Sequence, residues 1–453
     1  MISLKEALKL SQNDIIELKK ELNEKSKKEA KIGAYVEQFL GRDLDDVDYI
    51  GVPIAIKDNI QVKGWNISCG SKMLQGYIAP YNATVIENMK KNGFAPYGRC
   101  NMDEFAMGST TATSFYGTTL NPLNHEHVPG GSSGGSAAAV SAKLALASLG
   151  SDTGGSVRQP AAFCGCVGFK PSYGTVSRYG LSSYSSSLDQ IGTLTRSVDD
   201  ASILFDAIMG ADPLDSTSIQ EDLIATNDKI DENKKLNICV IENYINECEE
   251  DVKKELLSAV EKLKAHGHNI TYANLQDNKY DIAAYYLIAC AEASANLSRY
   301  DGIRYGYRTQ NYKNLNEFYE NTRSEGFGYE VKKRILLGTF VLSSGYYDAY
   351  YLKAQKLRNY IKQKYDEILK DNDLIFMPVA PTKAFRFDAK KTAMQMYLED
   401  IFTISVNLTG LGAISMPLAK KDGLNISGQF VGKIRDEITL LSGAKSLESI
   451  LKS

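Results

Sequence analysis

The chain has 453 residues, 43% of them hydrophobic, and its 52 basic and 55 acidic side chains leave a formal net charge of -3. That length can bury a sizeable core, in one large α/β unit or in two or three smaller ones. The charge excludes the basic footprint of a chain that grips nucleic acid unaided, and no uninterrupted apolar run of about 18 residues offers a membrane span.

Residues 3–28 read as a charge-rich helix ending near Lys31. Val52, Ile54, Ala55 and Ile56 form a short apolar run that predicts a buried strand. Lys57 stands at its C-terminal end, where active-site groups of α/β sheets project. Helices are expected over 83–92 and over 136–149, the second rich in small residues, after which Gly150 delivers the chain into the turn Asp152-Thr153-Gly154-Gly155-Ser156. From Leu236 the pattern becomes strand (237–241), helix (251–265) and strand (270–275), a crossover unit. Helix-rich sequence continues to about Lys370, and 374–377 reads as a buried strand. Runs 414–419 and 425–431 flank Asp422-Gly423, a hairpin signal. The expected fold class is α/β. It is a single domain over 1–453 with a mixed, twisted central sheet covered by helices on both faces. An N-terminal helical segment (about 1–45) packs on it, and a helix-rich insertion spans about 280–370.

The chemistry is concentrated in two glycine–serine clusters, Gly130-Gly131-Ser132-Ser133-Gly134-Gly135-Ser136 and Asp152-Thr153-Gly154-Gly155-Ser156, downstream of Lys57. A serine hydroxyl needs a partner to take its proton. Of the four histidines, His266 and His268 end a charged helix and read as solvated. His125 and His127 precede the first cluster in an exposed loop, and neither has an evident acidic orienter. A lysine serves instead if burial keeps it neutral. Ser156 reads as the nucleophile, because successive amides of a glycine-rich turn can converge on a developing oxyanion. A second serine relays the proton, since a hydroxyl both donates and accepts. Ser132 fills that role, with Ser133 and Ser136 as competitors in the same loop. A phosphate-cradling loop is the rival reading of the glycines, but neither cluster ends in the Gly-Lys-Ser/Thr it needs.

The run from Lys57 through the first cluster to Asp152-Thr153-Gly154-Gly155-Ser156-Val157-Arg158-Gln159-Pro160-Ala161-Ala162-Phe163-Cys164-Gly165, then Gly168-Phe169-Lys170-Pro171, resembles the amidase signature family. The signature is long and specific. The resemblance implies Lys57 as base, Ser132 as a bridging serine held after a cis peptide, and Ser156 as the acyl-forming serine. It also implies an oxyanion hole made by the backbone amides of Thr153, Gly154, Gly155 and Ser156. Further blocks at 296–306, 324–328, 334–340, 344–351 and 397–411 are similar to one branch, the glutaminase subunits of tRNA-dependent amidotransferases, over nearly the whole length.

That branch hydrolyses glutamine to glutamate and ammonia. The α-carboxylate of free glutamine calls for an arginine and its α-ammonium for a carboxylate. The resemblance places Arg334 and Asp400 in those roles, with Tyr285 as a pocket wall, while Glu399 and Tyr286 compete as neighbours of the same chemistry. It further implies a heterotrimer. A B-type partner binds tRNA and uses ATP and Mg to convert Glu-tRNA(Gln) to Gln-tRNA(Gln), and a small C-type partner braces the pair. The choice between Glu-tRNA(Gln) and Asp-tRNA(Asn) lies with the tRNA-binding partner. No metal or other cofactor is expected on this chain, and nothing in it reads as an ATP site. The alternative is a stand-alone amidase acting on other small amides. Two departures stand out: the region before Lys57 is shorter than usual, and Gly412 occupies a position where proline is common. The seven cysteines read as reduced thiols, Cys164-Gly165-Cys166 lacks zinc spacing, and no secretory leader precedes Lys5-Glu6, so a cytoplasmic enzyme is expected.

Overall fold

The computed structural model describes residues 1–37 and 50–452. Among these, eleven strands form one mixed sheet: β1 (Tyr35–Glu37), β2 (Val52–Lys57), β3 (Phe94–Cys100), β4 (Ser148–Asp152), β5 (Val167–Lys170), β6 (Gln190–Thr195), β7 (Asn237–Ile241), β8 (Asn269–Ala273), β9 (Leu374–Pro378), β10 (Ala413–Lys421) and β11 (Leu424–Gly432). Their order is β1-β3-β2-β4-β6-β5-β10-β11-β9-β7-β8. Parallel pairs flank an antiparallel centre: β2 runs parallel to β3 and β4, and β7 to β8 and β9, while β4, β6, β5, β10, β11 and β9 alternate. β2 is buried along its whole length, which is why its sequence is almost continuously apolar rather than alternating. The hairpin forms as read, with Asp422 and Gly423 both at positive φ (54° and 77°) between the paired Lys421 and Leu424, the geometry a tight two-residue turn requires.

Three local readings need correction. The N-terminal stretch is two helices, Leu4–Ala7 and Gln12–Lys28, because Ser3 and Ser11 each build a capping box that starts a new helix. Leu4 and Ala7 are fully buried, and the Leu4 amide donates to Asp200 at 2.7 Å. The end of the 1–45 segment lies outside the described residues. The helix expected over 136–149 spans only Gly134–Ser141. Lys143 takes a positive φ of 58°, and the apolar run behind it becomes the entry to β4. Such a run cannot be assigned to helix or strand by periodicity. His268 is not solvated: it is 4% exposed, its Nδ1 accepts the Leu236 amide, and its Nε2 meets Ser446. Burial lowers its pKa to about 4, so it is a neutral core histidine.

The helices Asn278–Asn296, Leu315–Gly326, Tyr329–Leu342 and Lys353–Asp371 supply the helix-rich stretch after β8. The helix Asn278–Asn296 packs against Tyr329–Leu342, Lys353–Asp371 and the helix Ile401–Thr409.

Candidate active site

β2 ends on Lys57, whose side chain is wholly buried. Its Nζ lies 2.7 Å from Ser132 Oγ, 2.9 Å from Ser151 Oγ and 3.2 Å from the Ser151 carbonyl oxygen. Burial lowers its pKa to about 7, against the opposing pull of Asp103, Asp152 and Asp189, because removal from water penalises the ammonium form. The amine beside Ser132 is therefore this lysine. His127 stands in a loop bridged to Arg386.

Ser132 follows a cis peptide from Gly131. Its loop is braced from below by buried Asp103, which accepts the amides of Thr110 (3.2 Å) and Thr111 (2.9 Å) and donates its own amide to the Ser132 carbonyl at 3.2 Å. A Cβ on Gly131 would fall 2.1 Å from Asp103 Oδ2, so only glycine fits. The competing serines are occupied elsewhere: Ser133 Oγ donates to the Ser151 carbonyl and Ser136 Oγ to the Leu149 carbonyl.

β4 ends on Asp152, and the chain turns through 153–156 into the helix Arg158–Cys164. The fully buried Asp152 accepts the amides of Gly155 (2.8 Å) and Val157 (3.1 Å) and two guanidinium contacts of Arg158 at 3.1 Å. Burial opposes its ionisation, but Arg158 holds the carboxyl well below its usual range. Ser156 closes the turn at 9% exposure, and its carbonyl accepts the Ser133 amide at 3.1 Å. The two serine loops are thereby stitched together. Of the four amides expected as oxyanion donors, that of Gly155 is turned to Asp152 Oδ1 instead. The carboxylate inside the turn competes for it.

Arg334, on the helix Tyr329–Leu342, is buried. Its Nε donates to Glu330 at 2.8 Å and its Nη1 to the Tyr184 hydroxyl at 2.6 Å. Its guanidinium lies over the rings of Tyr184 (5.5 Å) and Tyr286 (5.4 Å), a cation–π arrangement. Asp400 precedes the helix Ile401–Thr409. Its Oδ2 accepts from the Ser109 hydroxyl, and its Oδ1 is buried without a partner among the described residues. Burial pushes its pKa up to about 8, with the Ser109 bond opposing and Glu399 reinforcing. Glu399 itself is taken up by Thr382 and Lys391. Tyr285 covers Gly154 so closely that a Cβ there would lie 2.7 Å from its ring, and Tyr286 packs edge-on against it at 5.1 Å. Both tyrosines thus border the site. A cavity of about 370 Å³ lies alongside, lined in part by Ser109, Thr110, Glu330, Lys333, Arg334 and Tyr397.

The sequence reading missed Ser151, Asn59, Ser109, Tyr184 and Glu330. Ser151 directly precedes the second cluster and Asn59 follows Lys57 by two residues, but neither residue type carries a chemical signal until its orientation is known.

A buried lysine is hydrogen-bonded to Ser132 of one glycine loop, and that loop is joined through the Ser133 amide to Ser156 of the other, an arrangement with the parts a serine hydrolase needs. A family model described as Amidase matches residues 45–441, and the chain belongs to that amidase family. Full-length curated relatives carry a more particular name. The A subunit of glutamyl-tRNA(Gln) amidotransferase from Campylobacter jejuni (strain RM1221) is 69% identical, and that from Campylobacter lari (strain RM2100) 66%, each match covering 100% of both chains. Among solved structures, the A subunit of glutamyl-tRNA(Gln) amidotransferase from Thermotoga maritima is 39% identical. It superposes with a TM-score of 0.85 over 99% of this chain and 94% of that one. A peptide amidase from Stenotrophomonas maltophilia shares the fold at 23% identity and a TM-score of 0.80, over 98% of this chain and 94% of that one.

Proposed function

We propose that this chain is the glutamine-hydrolysing subunit of a tRNA-dependent amidotransferase, with Lys57, Ser132 and Ser156 as its catalytic residues. Neutral Lys57 takes the proton of Ser132, which takes that of Ser156, and Ser156 Oγ attacks the side-chain amide carbon of glutamine. The amides of Thr153, Gly154 and Ser156 stabilise the oxyanion. The C–N bond breaks as the proton returns through Ser132 to the leaving nitrogen, releasing ammonia. Water then attacks the γ-glutamyl ester, giving glutamate and restoring Ser156. Arg334 receives the α-carboxylate of glutamine, and the free Oδ1 of Asp400 receives the α-ammonium, with Tyr285 and Tyr286 as walls.

The ammonia passes to a B-type partner that binds tRNA and uses ATP and Mg to activate Glu-tRNA(Gln), and a small C-type partner completes a cytoplasmic heterotrimer. The observation that carries this reading is the wholly buried Lys57 amine 2.7 Å from Ser132 Oγ. The test measures ammonia release from glutamine by the chain alone and with its co-purified partners, ATP and Glu-tRNA(Gln). Glutamine should be hydrolysed, with assembly and tRNA raising the rate. Cleavage of other small amides with none of glutamine under any condition would make it a stand-alone amidase.

A further inference from the structure

The proton inventory around Lys57 contains a choice that its own residues do not settle. Nζ has three polar neighbours: Ser132 Oγ, Ser151 Oγ and the Ser151 carbonyl. A carbonyl only accepts, so one N–H is committed to it. In the neutral amine, one N–H and one lone pair remain to be divided between the two hydroxyls. If Ser132 donates to the lone pair and the amine donates to Ser151, the relay from Ser156 can run. If Ser151 donates to the lone pair, Ser132 receives an N–H instead and has no base for its proton.

Asn59 is a second side-chain partner of Ser151 Oγ. This buried side chain places its amide 2.9 Å from Ser151 Oγ. The amide stands with Nδ2 toward Ser151 and Oδ1 buried with no partner among the described residues. The two ends of an amide are told apart only by the network they serve. As placed, Oδ1 meets no donor on its outer side, so nothing there holds the nitrogen inward and the inner contact decides. With nitrogen inward, the Ser151 proton has the Lys57 lone pair as its acceptor and idles the base. With oxygen inward, that proton goes to Asn59 and the lone pair is left to Ser132.

We propose that Asn59 is a positioning residue: by accepting the Ser151 hydroxyl proton on Oδ1, it holds the Lys57 lone pair toward Ser132. This rests on Lys57 being the base. Asn59→Leu frees Ser151 to cap the amine, so kcat for glutamine falls by about tenfold or more while KM stays within about twofold, because the pocket is untouched. Asn59→Asp keeps an acceptor and adds a charge near the amine, so it retains turnover but moves the acid limb of the pH profile upward. The decisive variant adds Ser151→Ala to Asn59→Leu. Deleting the capping hydroxyl should make the double variant more active than Asn59→Leu alone, whereas a purely structural role makes the losses accumulate.

The measurements use the full chain with its co-purified partners, with thermal melting as the control for folding. Asn59→Ala gives the same comparison should Asn59→Leu not fold. An unchanged kcat in Asn59→Leu, or a double variant no better than Asn59→Leu alone, overturns the inference. A Lys57→Met protein that still hydrolyses glutamine overturns instead the reading of Lys57 on which it stands.

Discussion

Two lysines of this chain, Lys57 and Lys170, are buried to the same degree and lowered by that burial to about the same pKa, near 7. Their partners differ. Lys57 meets two hydroxyls and one carbonyl. Lys170 donates to the carbonyls of Pro171 (2.9 Å) and Leu411 (2.6 Å), which accept hydrogen bonds but can never supply a proton. One lysine has a hydroxyl from which the proposed mechanism lets it take a proton, and the other clamps the end of β5 to the residues leading into β10. A depressed pKa marks burial; only the neighbouring donors make it chemistry.

The largest effect should come from Lys57→Met, which removes the proton acceptor. Glutaminase should fall by about a thousandfold or more with circular dichroism unchanged, and Lys57→Arg should fail as well because guanidinium keeps its proton. Lys170→Met sharpens the contrast. It leaves two buried carbonyls without donors, at a cost of about 1–3 kcal/mol each, and so lowers the Tm while kcat/KM of the folded protein stays within about threefold.

Asp400→Asn should raise the KM for glutamine by about tenfold to a hundredfold, since a hydrogen bond to a charged group contributes about 1.5–3 kcal/mol. With its pKa near 8, the Asp400 carboxyl is largely protonated at pH 7. Pairing with the α-ammonium favours the carboxylate and expels that proton. Calorimetry in two buffers should therefore show proton release at pH 7, with glutamine affinity rising as pH passes through about 8.

The pH dependence breaks the comparison in another way. Lys57 acts only when neutral, so kcat/KM should climb as pH rises through about 7. For stability the two lysines behave alike. Their folded pKa values lie below the unfolded value of 10.5, so between pH 7 and 10.5 the unfolded chain binds more protons and their contribution to stability rises with pH. Replacing either lysine by methionine should flatten that slope equally, read as Tm against pH, while only Lys57→Met abolishes turnover. The smallest effect belongs to Gly412→Ala beside the Lys170 clamp. A Cβ there would meet Leu440 and Ser172 at 3.3 Å, and the change in stability should be about 1 kcal/mol or less, with glutaminase unaltered.

Much of the site was legible because its residues are unusual where they stand. A lysine ending an apolar strand and serines among glycines are costly choices unless a close backbone approach or a buried amine requires them, as Gly131 over Asp103 and Gly155 against Thr403 illustrate. Less legible were groups whose chemistry is ordinary. Ser151, Asn59 and Ser109 are common polar residues, and the fate of the Gly155 amide depends on where the Asp152 carboxylate swings. The end of the helix Gly134–Ser141 was hidden for a different reason: a run of small apolar residues suits either helix or strand, and sheet pairing of β4 with β2 and β6 decided it.

The sequence alone determined the chemistry available: which side chains can lose or relay a proton, where the backbone must be glycine, and that the sheet is mixed and helix-covered. Those are properties of residue type and local spacing. Tertiary structure alone decided which of three serines faces Lys57, which of two acidic neighbours keeps an unpaired oxygen, and which of two equally buried lysines meets a hydroxyl. These distinctions arise between segments far apart in the chain, through burial and hydrogen-bond direction, and no local pattern encodes either.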